Sequence, residues 1–388
     1  MKRRIFKILN LALFFIYNRI MLLFLRLDRE KVLFLSESHF NLDGNLKAVF
    51  DSLDSKYEKN VYVKHDRRQR DKLSRKLRMW RDLTDSKYII LDDFFSLTSA
   101  MKLRKGQELV QLWHGCGAFK KFGFSRMNTG DNIQNINKGY RKYTKVAVTS
   151  ETVRPCFAEA FDVPEKCVKA VGSPRTDMFF DRNETAEARE RVYKAFPDLR
   201  DKKVVLVAPT YRGRKVEDAH YDFEQLGLDF LAGCLGNKYH IITKWHPALY
   251  SNMMRGICES PVLSGHDEKN AKITDVSAYG DINDLLTVAD VLVTDFSSVI
   301  FDYFLLDKPV VYFIYDRENY QENRGLYFDF KDYLYGEVAF DRKSLAAAIK
   351  AEKTCKSSRH AFKEKFMKSC DGRSTERVIE WVFGGDNE

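Results

Sequence analysis

Residues 289–303 read ADVLVTDFSSVIFDY, and this stretch decides the kind of fold that the chain adopts. The run Val291–Thr294 is apolar on both faces, which is typical of a strand buried in a parallel sheet. Asp295, Ser297 and Ser298 follow it, at the predicted start of a helix. A strand, a polar turn and a helix in this order predict the repeating unit of a doubly wound α/β sheet.

The same alternation extends along the whole chain. The strands predicted before residue 150 are Val32–Ser36, Asn60–Val63, Tyr88–Leu91, Glu108–Trp113 and Val146–Thr149. The later strands are Val204–Ala208, His240–Lys244, Val291–Thr294 and Val310–Phe313, with helices near Phe223–Leu235, Ile282–Val288, Val299–Leu305 and Arg342–Glu352. We therefore predict an α/β protein with two doubly wound Rossmann-like domains that face a cleft, where the carboxyl ends of the strands bind ligands.

The length of 388 residues also favours two domains, because a single hydrophobic core rarely grows this large. A predicted helix over Thr185–Phe196 leads into Pro197 and the charged turn Arg200–Lys203, and we place the boundary there. The predicted division is an N-terminal helix over residues 1–27, a first domain over 28–198 and a second domain over 199–388.

The first 27 residues predict an amphipathic helix that lies on a membrane surface. Charged and amide side chains interrupt the apolar run, so no uncharged span long enough for a bilayer remains, and no cleavage site indicates a signal peptide. One half of the helix would carry Arg3, Arg4, Lys7, Asn10, Asn18, Arg19 and Arg26, and the other half Leu9, Leu13, Ile16, Ile20, Leu23 and Leu27. This pattern suits an anionic inner leaflet; a core-packing helix or a poorly inserted span is the alternative.

The net charge of +10, from 65 basic and 55 acidic residues, implies an anionic partner. A basic run between Lys64 and Arg81, with Leu73, Leu77 and Trp80 among its charges, is either a second membrane contact or a solvated helix face. No nucleic-acid module is recognisable, so we expect no nucleic-acid partner.

Seven scattered cysteines without zinc-site spacing indicate a reducing cytoplasm and no metal site. Cys116 is either a nucleophile or a small residue in a tight turn. The chain has no Walker A sequence, no GxGxxG after the first strand and no clear DxD motif, which argues against kinases and dehydrogenases, and we expect no cofactor.

Two segments of the first half carry candidate chemistry. In QLWHGCGAFKK (111–121), His114 stands where a strand ends and can take a proton from a hydroxyl, and Lys120 can hold phosphate. In VGSPRTD (171–177), Arg175 presents a guanidinium that matches phosphate oxygens, although a structural contact between Arg175 and Asp177 is an alternative.

Three segments of the second half complete the predicted site. APTYR (208–212) offers the Thr210 hydroxyl and the Arg212 cation, and TKWHP (243–247) offers Lys244 and His246. The opening stretch adds Asp295, Ser297 and Ser298 at a helix start, where free N–H groups favour phosphate. Arg324 lies in a predicted closing loop, and two histidines from two domains suit a displacement at phosphorus without a metal.

These segments, in this order, resemble the CDP-glycerol glycerophosphotransferase family, which includes the teichoic-acid primases and polymerases. The resemblance runs from about residue 105 to 350 and rests on WHG, GSPRTD, APTYR, KWHP and TDFSSVIFDY, followed by KPVVYF and RGLYFDF. It implies a GT-B-like fold, a membrane-associated N-terminal region at the cytoplasmic face, and transfer of glycerol phosphate from CDP-glycerol to a polyprenyl-linked acceptor. Many members have Thr-Pro after WHG where this chain has Cys116-Gly117, which bears on the acceptor.

The resemblance also implies roles for individual residues. His114 would be the base toward the acceptor hydroxyl, and His246 would act at the pyrophosphate. The CDP phosphates would be held by Thr210, Arg212, Ser297 and Ser298, with Asp295 and Arg324 beside them. The large extra domain of the long polymerases is not part of this sequence, which favours a primase or a single-addition enzyme.

Two enzymatic alternatives remain at this point. A CDP-ribitol transferase would share every motif. A sugar transferase of the GT-B class would share the fold and the phosphate site, but it would release a nucleoside diphosphate rather than CMP.

Overall fold

The computed structural model describes residues 2–64, 73–129, 138–213, 217–258, 272–317 and 325–384. The chain divides into two compact units. The first unit comprises Met1–Asp177 together with Lys365–Glu388, and the second comprises Met178–Glu364.

The first unit is built on a six-stranded parallel sheet in the order β2-β1-β3-β4-β5-β6. Its strands are β1 Asp28–Leu35, β2 Glu58–Tyr62, β3 Ser86–Leu91, β4 Glu108–Gln111, β5 Lys145–Val148 and β6 Val168–Ala170. Its helices are α1 Lys2–Phe24, α2 Gly44–Ser52, α3 Leu73–Asp85, α4 Arg154–Phe161 and, from the C-terminal segment, a helix over Ser374–Phe383. The topological switch point, where the order of successive strands changes direction across the sheet, lies between β1 and β3. Polar residues that follow these two strands therefore lie at the switch point.

The second unit has a six-stranded parallel sheet of its own, in the order β12-β11-β10-β7-β8-β9. Its strands are β7 Lys203–Val207, β8 Tyr239–Thr243, β9 Ile273–Asp275, β10 Val291–Thr294, β11 Val310–Phe313 and β12 Glu337–Ala339. Its helices are α5 Arg182–Ala195, α6 Phe223–Leu226, α7 Leu228–Leu235, α8 Pro247–Met254, α9 Ile282–Val288, α10 Val299–Phe304, α11 Arg342–Ala351 and α12 Lys356–Phe362. The C-terminal helix of the first unit, Ser374–Phe383, is numbered α13. Here the switch point lies between β7 and β10.

All nine strands predicted from the apolar runs are present; β1 begins four residues earlier than predicted, and every other strand end agrees within two residues. The three-residue strands β6, β9 and β12 were not among the predicted ones, because so short a run carries little periodicity. The helix predicted over Phe223–Leu235 is two helices, since Gly227 adopts a left-handed conformation with φ of 59° between them.

The division into units differs from the predicted one at two places. Helix α5 belongs to the second unit, where it packs on α9 and Arg191 pairs with the buried Asp284 at 2.7 Å. Helix α13 belongs to the first unit, because Val378, Val382 and Phe383 join the core formed by β1, β3 and α2. The sequence of an amphipathic helix predicts which face is buried, but it does not predict which sheet that face packs against.

Helix α1 covers Lys2–Phe24 of the predicted segment 1–27, and one residue of its predicted polar half is buried in the protein. Asn18, which belongs to the predicted polar half, is fully buried: its amide donates to Thr84 Oγ1 at 3.2 Å and accepts from the Lys102 N–H at 2.9 Å. Phe14 is buried beside the Trp80 ring of α3, with centroids 5.5 Å apart. None of the helices within the described residues has the length and apolarity that a bilayer span needs.

Candidate active site

The backbone at the end of β4 presents His114. Trp113 has a left-handed backbone with φ of 57°, which is costly for a large side chain. Its ring stacks on Phe122 at 4.8 Å and packs edge-on to Phe161 at 5.2 Å, and these contacts hold the unusual conformation. The turn leaves the His114 side chain 48% exposed immediately after a buried strand.

The surroundings of His114 favour the neutral form of its ring. Burial among neighbouring groups lowers the pKa of His114, Asp93 opposes this, and Arg175 adds to it. Asp93 Oδ1 lies 3.6 Å from His114 Nδ1, and the nearby backbone of Asp92 also raises the pKa of the ring. A neutral imidazole that donates through one nitrogen has its other nitrogen available as a proton acceptor.

Arg175 and His114 are brought together by a buried asparagine. Arg175 Nη1 donates to the His114 carbonyl at 2.5 Å. The Asn45 side chain accepts from the Arg175 N–H at 2.9 Å and from Ser173 Oγ at 3.0 Å, and it donates to the Trp113 carbonyl at 2.7 Å. Asn45 therefore joins the loops after β4 and β6, which are 60 residues apart in sequence.

The other residues of this unit have distinct positions. Cys116 is buried, with Arg175 Nη2 3.9 Å from its sulfur, which fits a small residue in a turn. Lys120 is half-buried in the segment that follows. The Asp177 carboxylate accepts the backbone N–H groups of Ser374 and Thr375 at 3.0 and 2.7 Å, and so caps α13.

In the second unit, Asp295 organises the switch point. This carboxylate is completely buried and accepts the Thr210 N–H at 2.7 Å and Arg212 Nη1 at 2.7 Å. The Arg212 guanidinium also forms a two-point ion pair with Asp316, with Nη2 2.8 Å from Oδ1. Asp316 follows β11. The ion pairs of Arg212 with Asp295 and Asp316 therefore link the ends of β7, β10 and β11.

The serine pair lies at the end of β10. Ser297 is half-buried, and its Oγ accepts the Val299 N–H at 3.4 Å. Ser298 is exposed and immediately precedes α10. Arg324, the last of the predicted phosphate ligands, lies outside the described residues.

Lys244 and His246 follow β8 and contact protein groups. Lys244 Nζ donates to the Ser277 carbonyl at 2.9 Å and to the Tyr279 carbonyl at 2.5 Å, and burial lowers the pKa of this lysine. His246 is exposed and caps α8, because its Nδ1 accepts the Ala248 N–H at 3.2 Å. In the neutral ring the proton is then on Nε2, which makes that atom a hydrogen-bond donor.

A pocket of about 620 Å³ lies beside Arg212 in the second unit. Its walls are aromatic and acidic, formed by Arg212, His220, Tyr221, Asp222, Phe223, Glu224, Cys258, Tyr315 and Asp316. This size and mixture of aromatic and polar walls match small-molecule sites.

Sequence reasoning missed the groups that support His114. Asp92 and Asp93 follow β3, and Ser38 donates to Asp93 while His39 contacts Asp43. Burial raises the pKa of Asp92 to about 6, and the hydrogen bond to Asp43 raises the pKa of His39. Asp92 and Asp93 come directly after a predicted strand, and this position could have identified them as candidate site residues. The sequence around Asn45 has no comparable pattern.

Comparisons with known proteins show one matching family profile and several similar sequences. The profile described as CDP-Glycerol:Poly(glycerophosphate) glycerophosphotransferase matches residues 16–384. The chain is 37% identical to the teichoic acid poly(ribitol-phosphate) polymerase of Bacillus spizizenii over 98% of its own length, and it spans 60% of that polymerase. It is 30% identical to the teichoic acid glycerol-phosphate primase of Bacillus subtilis, covering 77% of this chain and 74% of the primase.

Among solved structures, the wall teichoic acid polymerase TagF superposes with a TM-score of 0.74 at 20% identity. The superposition covers 97% of this chain and 93% of the TagF chain. At this identity the likeness shows the fold, which is two Rossmann-like halves with parallel sheets.

Proposed function

We propose, from the premise that the chain belongs to the CDP-glycerol:poly(glycerophosphate) glycerophosphotransferase family, that it transfers an alditol phosphate from a CDP-alditol to a hydroxyl of a polyprenyl-diphosphate-linked acceptor, releasing CMP. The product would be a teichoic acid or a related envelope polymer. Ribitol phosphate is the first candidate, because identity is 37% over 98% of the chain with a ribitol-phosphate polymerase and 30% over 77% with a glycerol-phosphate primase. Glycerol phosphate, favoured by the motifs alone, is the second.

The observation that carries the proposal is the neutral, half-exposed His114 beside Arg175. In the proposed step the acceptor hydroxyl loses its proton to the open nitrogen of His114. The hydroxyl oxygen bonds to the phosphorus that bears the alditol, and the bond from that phosphorus to the CMP oxygen breaks. Arg175 and Lys120 would stabilise the phosphate charge that develops on the acceptor side.

The second unit would bind the donor. His246 has Nε2–H as a donor to the pyrophosphate, which stabilises the departing CMP. The hydroxyls of Thr210, Ser297 and Ser298, together with Arg324, are the proposed phosphate contacts. Arg212 and Lys244 were expected to join them; since both contact protein groups, we propose that they shape the site, Arg212 by fixing Asp295.

A lipid-linked acceptor lies in a membrane, and the exposed apolar surface of α1 is the surface proposed to contact that membrane. The large apolar side chains of this helix that are exposed are Ile5, Phe6, Ile8, Leu9, Leu13, Phe15, Ile16, Ile20, Leu23 and Phe24. Leu73 and Leu77 of the neighbouring α3 are also exposed, near Lys76. Exposed apolar side chains with the basic Lys76 beside them suit an anionic membrane, and we propose peripheral attachment at the cytoplasmic face.

Donor and reaction type are tested by CMP release. The protein is incubated with CDP-ribitol or CDP-glycerol and a lipid-linked disaccharide, with or without a first alditol phosphate. We expect CMP with one donor, and loss of at least about 100-fold in kcat for His114→Gln, a typical contribution of a general base. His360→Gln, at an exposed histidine, is the matched control. A nucleoside diphosphate product from a nucleotide sugar would contradict the proposal.

Membrane attachment is tested by flotation with phosphatidylglycerol vesicles. Ile16→Glu places a charge on the exposed face of α1 without removing the buried Phe14 or Asn18, and should abolish flotation. Phe340→Glu, at an exposed site of the second unit, should float like the wild type. Flotation of Ile16→Glu at the wild-type level would refute the attachment surface.

A further inference from the structure

Three potential metal ligands meet at the switch point of the first sheet. His39 follows β1, Asp92 follows β3, and Asp43 immediately precedes α2. One ligand atom from each residue lies within 4.8 Å of the others. Ligands around a single small cation are separated by about 3–4 Å, given metal–ligand distances of roughly 2.0–2.2 Å, so small shifts of these side chains would bring them to coordinating distance.

Asp43 faces this cluster instead of capping its own helix. It occupies the N-cap position of α2, where an aspartate normally accepts a backbone N–H, but its side chain forms no such bond. Its carboxylate contacts His39 Nδ1 instead. A cap bond contributes about 1 kcal/mol, so the competing contact has to offset that loss.

Asp92 supplies the second, independent observation. This side chain is only 3% exposed, and its Oδ2 lies 4.0 Å from His39 Nδ1. Its Oδ1 is buried and has no hydrogen-bond partner among the described residues. A buried carboxylate oxygen without a donor is costly, and a cation in the cluster would satisfy it.

We propose that His39, Asp43 and Asp92 bind one divalent transition-metal cation, Mn²⁺ or Zn²⁺, beside the base His114. One imidazole with two carboxylates is a mixed nitrogen and oxygen set, which these ions accept and Ca²⁺ does not favour. His39 and Asp43 are partly exposed, so water or an anionic oxygen of a substrate can complete the coordination.

The site departs from the sequence-based expectation of no metal. Its ligands come from two strand ends and a helix start, and 49 residues separate Asp43 from Asp92, so no short motif marks them. Asp93, next to Asp92, contacts His114. The cation would thus lie close to the acceptor side of the proposed reaction, where it can orient a phosphate group of the acceptor.

The test measures cation binding by the full-length protein, independently of activity. EDTA-dialysed protein is titrated with Mn²⁺ while electron paramagnetic resonance follows the free ion, and Zn²⁺ is then added as a competitor. We expect about one Mn²⁺ per chain, displaced by Zn²⁺, and at least about tenfold weaker binding for Asp92→Asn. Asp51→Asn, at an exposed aspartate of the same helix α2, should bind like the wild type.

Two results would overturn the proposal. Absence of saturable binding up to about 1 mM Mn²⁺ would mean that the cluster is a hydrogen-bonded group of side chains that binds no ion. Unchanged affinity in a folded Asp92→Asn variant would place the ion elsewhere. If circular dichroism shows that Asp92→Asn does not fold, Asp43→Asn makes the same test at a more exposed ligand, with the same expected loss of affinity.

Discussion

Replacing Arg212 with methionine should destabilise the second unit strongly. The guanidinium pairs with Asp295, whose carboxylate is completely buried, and with the largely buried Asp316. Methionine preserves much of the side-chain volume but leaves both carboxylates without this cation. The perturbation therefore removes one partner of a buried ion pair while nearly conserving packing.

The expected magnitude follows from that burial. Breaking a buried pair by removing one partner costs about 3–5 kcal/mol, because the remaining charge has no compensation. The matched control is Arg200→Met, which breaks a pair with Glu190 at the same 2.7 Å between side chains that are 52% and 62% exposed. An exposed pair of this kind contributes about 0–1 kcal/mol.

Urea unfolding at pH 7 measures both variants. With a slope of about 1–3 kcal/mol per molar urea, Arg212→Met should lower the midpoint by more than about 1 M and Arg200→Met should leave it nearly unchanged. CDP binding to the folded Arg212→Met protein is measured in parallel. A loss of stability below about 1 kcal/mol, accompanied by loss of CDP binding, would refute the structural role and make Arg212 a phosphate ligand.

Three further predictions concern both units. Gly172→Ala should lower the unfolding free energy by about 3 kcal/mol or more in urea titrations, because φ is 93° and the new Cβ would lie 2.2 Å from Ser374 Oγ; wild-type stability would contradict the geometry. Asn45→Ala should cost about 2–4 kcal/mol and reduce CMP release, since its hydrogen bonds join the loops that carry His114 and Arg175; unchanged kcat would contradict this. Burial lowers the pKa of His240, so the unfolded state binds more protons below pH 6.5 and stability should rise as the pH increases toward 6.5; His240→Gln should flatten this dependence between pH 5.5 and 7.5.

The motif residues differ in how far sequence reasoning could place them. The position of His114 after a strand follows from the local pattern. The contact between Thr210 and Asp295 does not, because it depends on β7 and β10 being neighbours in the sheet. The lowered pKa of His114 results from burial and from Arg175, and Asp93 and the Asp92 backbone oppose it; these residues follow other strands. A local pattern does not report such partners.

The sequence by itself determined nine of the twelve strands and the carboxyl ends of those nine within two residues. Runs such as Val204–Ala208 and Val291–Thr294 are apolar on both faces. This pattern can be seen within each run alone, and it predicts a strand buried on both faces. Tertiary structure alone decided that α13 returns to the first unit, that Asn18 rather than Leu13 faces the protein, and that His39, Asp43 and Asp92 form one cluster. Hydrophobic periodicity is local, whereas these contacts join residues far apart in the chain, and only the packed fold brings them together.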